Sequence, residues 1–350
     1  MLIKKFLVFF LCLIVGLSSC VSESEFSNTP QGNFDALWQI VDEHYCFFPD
    51  KAEEYGLDWR ECYDRYSAML MPNMNNEQLF EVCGKMLAEL RDGHVNLASP
   101  FNTARYWDWH ENYPVNFSDS LQRIYLGTDY RLTCGIKYCI LPDNVGYMYI
   151  PSFNGSVGSG NLDAIFSYLR LCDGLIVDVR NNEGGLLTMA QDLAASFINE
   201  KTTVGYIAHK TGAGHNSFSD LEPVKLIPSE GMRWQKPVVV LSNRRTYSAA
   251  NAFVAYMKDL PLVTTVGDRT GGGAGLPYNN ELPNGWTVRF SACPTYDVQM
   301  FSTENGIEPE YRVDLLSEDF VKGKDTIIEY ARTLIKSALR ADSGDQNKVM

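Results

Sequence analysis

Nowhere do two of the nine cysteines stand in a Cys-x-x-Cys pair. This spacing suggests neither a zinc site nor a disulfide framework, although Cys134 and Cys139 are placed to bridge across a hairpin. Basic residues are scarce, 30 Lys and Arg against 43 Asp and Glu for a net charge of −13, so nucleic acid and anionic membrane surfaces are not expected partners. No internal repeat or low-complexity tract is visible. A membrane-spanning helix needs roughly twenty apolar residues, and the run from Phe6 to Leu17 is shorter.

That run follows Lys4 and Lys5 and ends in Leu17-Ser18-Ser19-Cys20. A basic start, an apolar stretch and a small-residue end predict a secretion leader over 1–20. Its last four residues resemble the lipobox of bacterial lipoproteins, which implies lipidation of Cys20 and a protein anchored in the cell envelope, facing the periplasm or exterior. Residues 21–33 are polar and suit a tether. The rest divides into a helical subdomain over 34–98, a main domain over 99–340 and a flexible tail over 341–350.

In the helical part, FDALWQIVDEHYCFF, WRECYDRYSAML and NEQLFEVCGKMLAEL carry apolar residues at helical spacing. Asp58 and Asn75 or Asn76 are the expected N-caps of the second and third. His44 lies on an apolar stripe and reads as a packed core histidine. Glycine is a usual helix stop, so the third helix is expected to end at Arg91-Asp92-Gly93, leaving His94 on a turn that can face a cleft. Asp92, two residues from the imidazole, is either a turn former or a group that biases its tautomer. RIYLG, DYRLTCGIKYCIL and VGYMYIPSF read as strands.

Two segments then repeat one design. Leu175 to Val179 is a buried strand with Asp178 near its end, followed by Asn181-Asn182-Glu183-Gly184-Gly185 and a helix. Two glycines before a helix free backbone N–H groups for an anion or oxyanion. A phosphate loop does not fit this turn, which lacks a Gly-Lys-Ser/Thr ending and Gly-x-Gly-x-x-Gly spacing. Pro237 to Leu241 is a second buried strand, a polar corner spans 242–246, and Ser248 opens AANAFVAYMK, whose apolar residues recur at helical spacing. The serine thus sits where strand becomes helix, either as an N-cap or beside donors suited to a developing oxyanion. VTTVGDRTGGGAG adds a strand and a glycine-rich turn, and strands alternating with helices predict an α/β fold with a covered βαβ-type sheet.

Taken in order, LRDGHV, GYMYIPSF, LIVDVRNNEGG, SNRRTYSAANAF, VGDRTGGGAG and ENGIEPEYRV resemble the S41 peptidase family, which includes C-terminal processing peptidases, tricorn protease and interphotoreceptor retinoid-binding protein. The resemblance implies a crotonase-like β/α core and a serine peptidase that acts on peptide or unfolded protein through an acyl-enzyme, with neither cofactor nor metal. It places the nucleophile on Ser248. C-terminal processing peptidases carry a lysine base where this chain has Gly273, and no lysine stands in 266–275. Tricorn-type members use the histidine that corresponds to His94, oriented through a serine by a glutamate that matches Glu304. Gly93 stands where that serine would be, which leaves Glu304 acting directly, through another hydroxyl such as Ser302, or not at all. The N–H of Ala249 and one from Gly184 or Gly185 complete the implied oxyanion hole. An imidazole base predicts activity that rises through a single limb near pH 6 to 7. The retinoid-binding relatives imply the alternative, a non-catalytic binder of apolar ligands or peptides.

Overall fold

The computed structural model describes residues 26–155 and 157–346; the expected leader and the lipidation expected at Cys20 lie outside the described residues. Four helices come first among the described residues: α1 (Pro30–His44), α2 (Phe48–Tyr55), α3 (Trp59–Ser67) and α4 (Asn76–Ala88). Thr29 caps α1 by accepting the Gly32 N–H, Asp58 caps α3, and Asn75 with Gln78 forms a capping box on α4. The expected single helix through CFF is broken instead. Tyr45 is extended, and Pro49 in the first turn of α2 restarts the helix in a new direction. Gly93 is not the stop of α4 either, because the chain turns earlier, at Arg91 with φ 47°.

The helices pack on a four-stranded antiparallel sheet formed by β1 (Asn96–Ala98), β2 (Thr103–Arg105), β11 (Leu276–Glu281) and β12 (Thr287–Cys293), in the order β11-β12-β1-β2. Leu97, Val288 and Phe290 on its inner face share one core with Phe34, Leu37, Tyr45, Phe80 and Met86. His44 is half-buried and stacks on Tyr278 at 4.5 Å.

RIYLG belongs to a helix, α5 (Asp119–Leu126), and not to a strand: Ser118 accepts the Leu121 N–H and nucleates a turn that so short an apolar run could not reveal. A hairpin follows, β3 (Arg131–Thr133) and β4 (Ile136–Ile140), turning at Cys134 and Gly135 with φ 46° and 81°. Cys134 is exposed in the turn while Cys139 faces the core, and both are free thiols.

The main sheet has seven strands in the order β14-β10-β9-β6-β5-β4-β3, with β5 (Val145–Tyr149), β6 (Gly174–Asp178), β9 (Val238–Ser242), β10 (Val263–Gly267) and β14 (Tyr311–Arg312) parallel. Both faces are covered, which is why β6 and β9 are buried at every position. On one side Val177, Val238 and Val240 meet α6 (Ser159–Leu169), α7 (Leu187–Ala195) and α8 (Ala249–Met257). On the other, Ile176, Val239 and Leu241 meet Ile327, Ile328, Ala331 and Ile335, residues that follow the short α9 (Ser317–Phe320) and lie on α10 (Thr326–Gln346). A third sheet, β13-β7-β8, joins β7 (Thr202–Ile207), β8 (Glu222–Leu226) and β13 (Thr295–Tyr296). The result is an α/β fold with a helical N-terminal region.

Candidate active site

The end of β6 is locked by charge. Arg180, fully buried, donates to Asp178 at 2.7 Å and to Asp325 at 3.0 Å, so the turn from Asn181 to Gly185 leaves the sheet from a fixed point. At the end of the neighbouring β9, Ser248 has φ 58° and ψ −124°, a backbone that non-glycine residues rarely adopt. Three backbone bonds hold it there: Tyr247 N–H to Asn182 at 3.0 Å, Ser248 N–H to Gly272 at 2.9 Å and Gly271 N–H to Thr246 at 2.8 Å. Both glycine turns therefore brace one strained corner, as expected where a reactive side chain must project. Ser248 is the N-cap residue of α8 by position, but its side chain makes no capping bond. Its Oγ lies 3.0 Å from His94 Nε2.

His94 comes from the loop between α4 and β1. Asp92 does not touch its ring. One carboxylate oxygen accepts the His94 backbone N–H at 2.7 Å, the other accepts the Tyr45 hydroxyl at 3.0 Å, and Asn96 donates to the His94 carbonyl at 2.7 Å. These bonds place the backbone, while the ring packs edge-on against Tyr247. Burial holds the imidazole below its ordinary pKa of 6.5, opposed by Asp92 and helped by Arg289. It is therefore neutral at neutral pH, as a general base must be. The hydroxyl beside Nδ1 belongs to Ser291 on β12, at 3.5 Å, and not to Ser302.

Glu304 reaches the histidine only through others. Its buried carboxylate accepts Lys51 Nζ at 3.2 Å and the Ala274 N–H at 3.0 Å, and the Ala274 carbonyl accepts the Ser291 hydroxyl at 2.8 Å. Burial pushes the Glu304 carboxyl above the usual carboxylate range, with Asp92 adding to the shift and Lys51 opposing it.

Of the donors expected for an oxyanion hole, Gly184 is already engaged, its N–H bonded to Asn182 Oδ1 at 2.9 Å. Among the described hydrogen bonds none uses the N–H of Gly185 or of Ala249. Gly184 is nonetheless obligatory: with φ 98°, a Cβ there would stand 2.7 Å from Ser248 Cβ and 2.9 Å from the Ala249 nitrogen.

With this geometry in place the chain can be compared with known proteins. Peptidase family S41 matches residues 144–313, and the tricorn protease C1 domain matches 26–88. A peptidase candidate of known structure from Parabacteroides merdae is 50% identical with a TM-score of 0.84, covering 88% of this chain and 97% of its own. The chain belongs to the S41 peptidase family. The carboxy-terminal processing protease CtpA of Bacillus subtilis is 27% identical over 49% of this chain, and the tricorn protease of Thermoplasma acidophilum 27% identical over 56%. The chain spans 36% of the first and 17% of the second.

The two glycines that stand where the resemblance leads one to expect a serine and a lysine both pack against one stacked pair of rings. Trp109 lies on Tyr247 with centroids 3.9 Å apart. A Cβ at Gly93 would meet Trp109 at 2.6 Å and the Tyr247 hydroxyl at 2.8 Å, so the tricorn-type serine has no room. A Cβ at Gly273, whose φ is 73°, would stand 2.2 Å from Tyr247 Cζ, so the lysine of the other branch has none either.

A cavity of about 540 Å³ reaches Ser248 and His94. Leu186, Leu187, Val204, Val224, Ala252 and Tyr256 are among its walls. Ser291 and Lys51 were not singled out by the sequence motifs. Alternation gave no signal for Ser291, which lies on the face of β12 opposite Val288 and Phe290 and is buried there by tertiary packing.

Proposed function

We propose that this chain is a serine peptidase that cleaves peptide bonds through an acyl-enzyme on Ser248. The observation that carries the reading is the 3.0 Å contact between Ser248 Oγ and His94 Nε2 at a strained corner where the hydroxyl caps nothing. His94 takes the Ser248 proton as Oγ attacks the substrate carbonyl, then gives it to the leaving amine, and water repeats the cycle to release the acyl group. The N–H groups of Gly185 and Ala249 face the developing oxyanion, each worth about 3 kcal/mol in such a site. The apolar cavity accepts the substrate side chain on the acyl side. It equally favours a second reading, a non-catalytic binder of apolar ligands.

A serine-directed fluorophosphonate separates the two. The enzyme reading expects stoichiometric labelling at Ser248, together with hydrolysis of denatured casein that Ser248→Ala removes. An unlabelled protein that retains a bound lipid and leaves casein intact would establish the binder. The leader supports anchoring of the enzyme in the cell envelope by lipid on Cys20, and Cys20→Ala should leave the membrane fraction or go unprocessed. Unchanged membrane attachment of that variant would refute the anchor.

A further inference from the structure

Lys51 is a buried ammonium that the chemistry above does not use. It sits on α2 with 2% of its surface exposed, 253 residues from Glu304, its partner. Burial by itself would pull the Lys51 pKa down, yet Glu304 and Asp92 outweigh it and hold the group charged. Burying an ammonium costs hydration, and apolar side chains in place of both Lys51 and Glu304 would tie α2 to this spot as well or better. A role as a mere staple does not account for the charge.

What the charge faces is the support of the catalytic base. Lys51 Nζ lies 3.2 Å from one Glu304 oxygen, and the other oxygen accepts the Ala274 N–H at 3.0 Å. Ala274 accepts the Ser291 hydroxyl at 2.8 Å, and that hydroxyl stands 3.5 Å from His94 Nδ1. Asp92, 1% exposed, adds a second carboxylate, so two buried acids share one buried ammonium. Gly273 borders both the cavity that reaches Ser248 and the one beside this cluster. Lys51, Asp92 and Glu304 line this second cavity, of about 350 Å³, which Tyr247 also borders.

We propose that Lys51 is a positioning residue of the catalytic machinery: its ammonium favours the carboxylate form of Glu304, which holds the Ala274 turn and Ser291 against His94. The inference rests on the serine peptidase reading. Charged groups that face the cluster and the histidine are Asp92, Arg105 and Arg289, with the phenols of Tyr45, Tyr55 and Tyr247 also close to Lys51 or Glu304.

The test is the pH dependence of casein-peptide hydrolysis by the full mature chain carrying Lys51→Met, Glu304→Gln or both. Lys51→Met should lower kcat at pH 7 about tenfold while KM changes less than about threefold, because no substrate contact is lost. Without its cation the Glu304 carboxyl is pushed further up, so the activity limb that follows its ionisation should move to higher pH than in the parent. That limb should vanish in the double variant, whose kcat should match that of Glu304→Gln alone. Lys51→Arg, which keeps the charge, should retain more activity than Lys51→Met. The double variant removes both charges together, so it reports even if Lys51→Met alone fails to fold. Parental pH profiles in Lys51→Met, or losses that multiply in the double variant, would overturn the role of Lys51. Fluorophosphonate labelling of Ser248 in the parent tells that outcome apart from failure of the peptidase reading itself.

Discussion

The two cavities that meet at Gly273 treat charge in opposite ways. The one that reaches Ser248 has mostly apolar walls, and its ionisable lining apart from tyrosine consists of His94, His209 and Arg289. The other is lined by Lys51, Arg91, Arg244, Asp92, Glu304 and further polar groups. The difference teaches how a histidine can be kept neutral and still be supported as a cation. Burial lowers its pKa, and the acidic groups that the proposed mechanism sets behind His94 line the second cavity, apart from Ser248.

The comparison breaks most completely at the histidine. His94→Ala should lower kcat/KM at least about a hundredfold with little change in stability, measured on denatured casein. In the parent, activity should climb through a limb below pH 6.5 rather than at 6 to 7, because burial lowers the imidazole. The folded-state pKa is depressed, so the unfolded chain binds more protons between it and 6.5. The His94 contribution to stability is thus present above pH 6.5 and lost as pH falls toward the folded value. A limb above 6.5 would show that the apolar cavity does not set the base. Full activity in His94→Ala would remove it from the mechanism.

The stacked rings are tested by Gly273→Lys. A positive φ and overlap with the Tyr247 ring should destabilise the fold by about 3 kcal/mol, seen as a lower Tm, and the variant should not restore activity to His94→Ala. Unchanged Tm would mean that Tyr247 swings aside. The smallest effect is expected at Ser291. Its contact with Nδ1 is long, so Ser291→Ala should lower kcat about threefold and leave KM unchanged. A loss as large as that of His94→Ala would make Ser291 a direct participant.

Legibility followed the range of the forces involved. Asp58 and Asn75 were readable as caps because a cap bonds two or three residues away. The strand, corner and helix around Ser248 were readable for the same reason. RIYLG misled because five residues fit both periods, and α2 was missed because its break depends on Tyr45 turning into the core. The choice between Gly184 and Gly185 needed the Asn182 side chain, which folds back onto the first of them.

By itself the chain's order of residues determined the α/β class, the helical N-terminal region, the buried strands and the placement of a serine at a strand-to-helix corner, since each depends on periodicity and turn chemistry within about a dozen residues. Tertiary structure alone decided that Ser248 bonds to a histidine 154 residues away, that Ser291 supplies the hydroxyl beside it, and that Glu304 answers to Lys51. Those pairings are set by how three sheets and their helices pack, and packing joins side chains without regard to their distance along the chain.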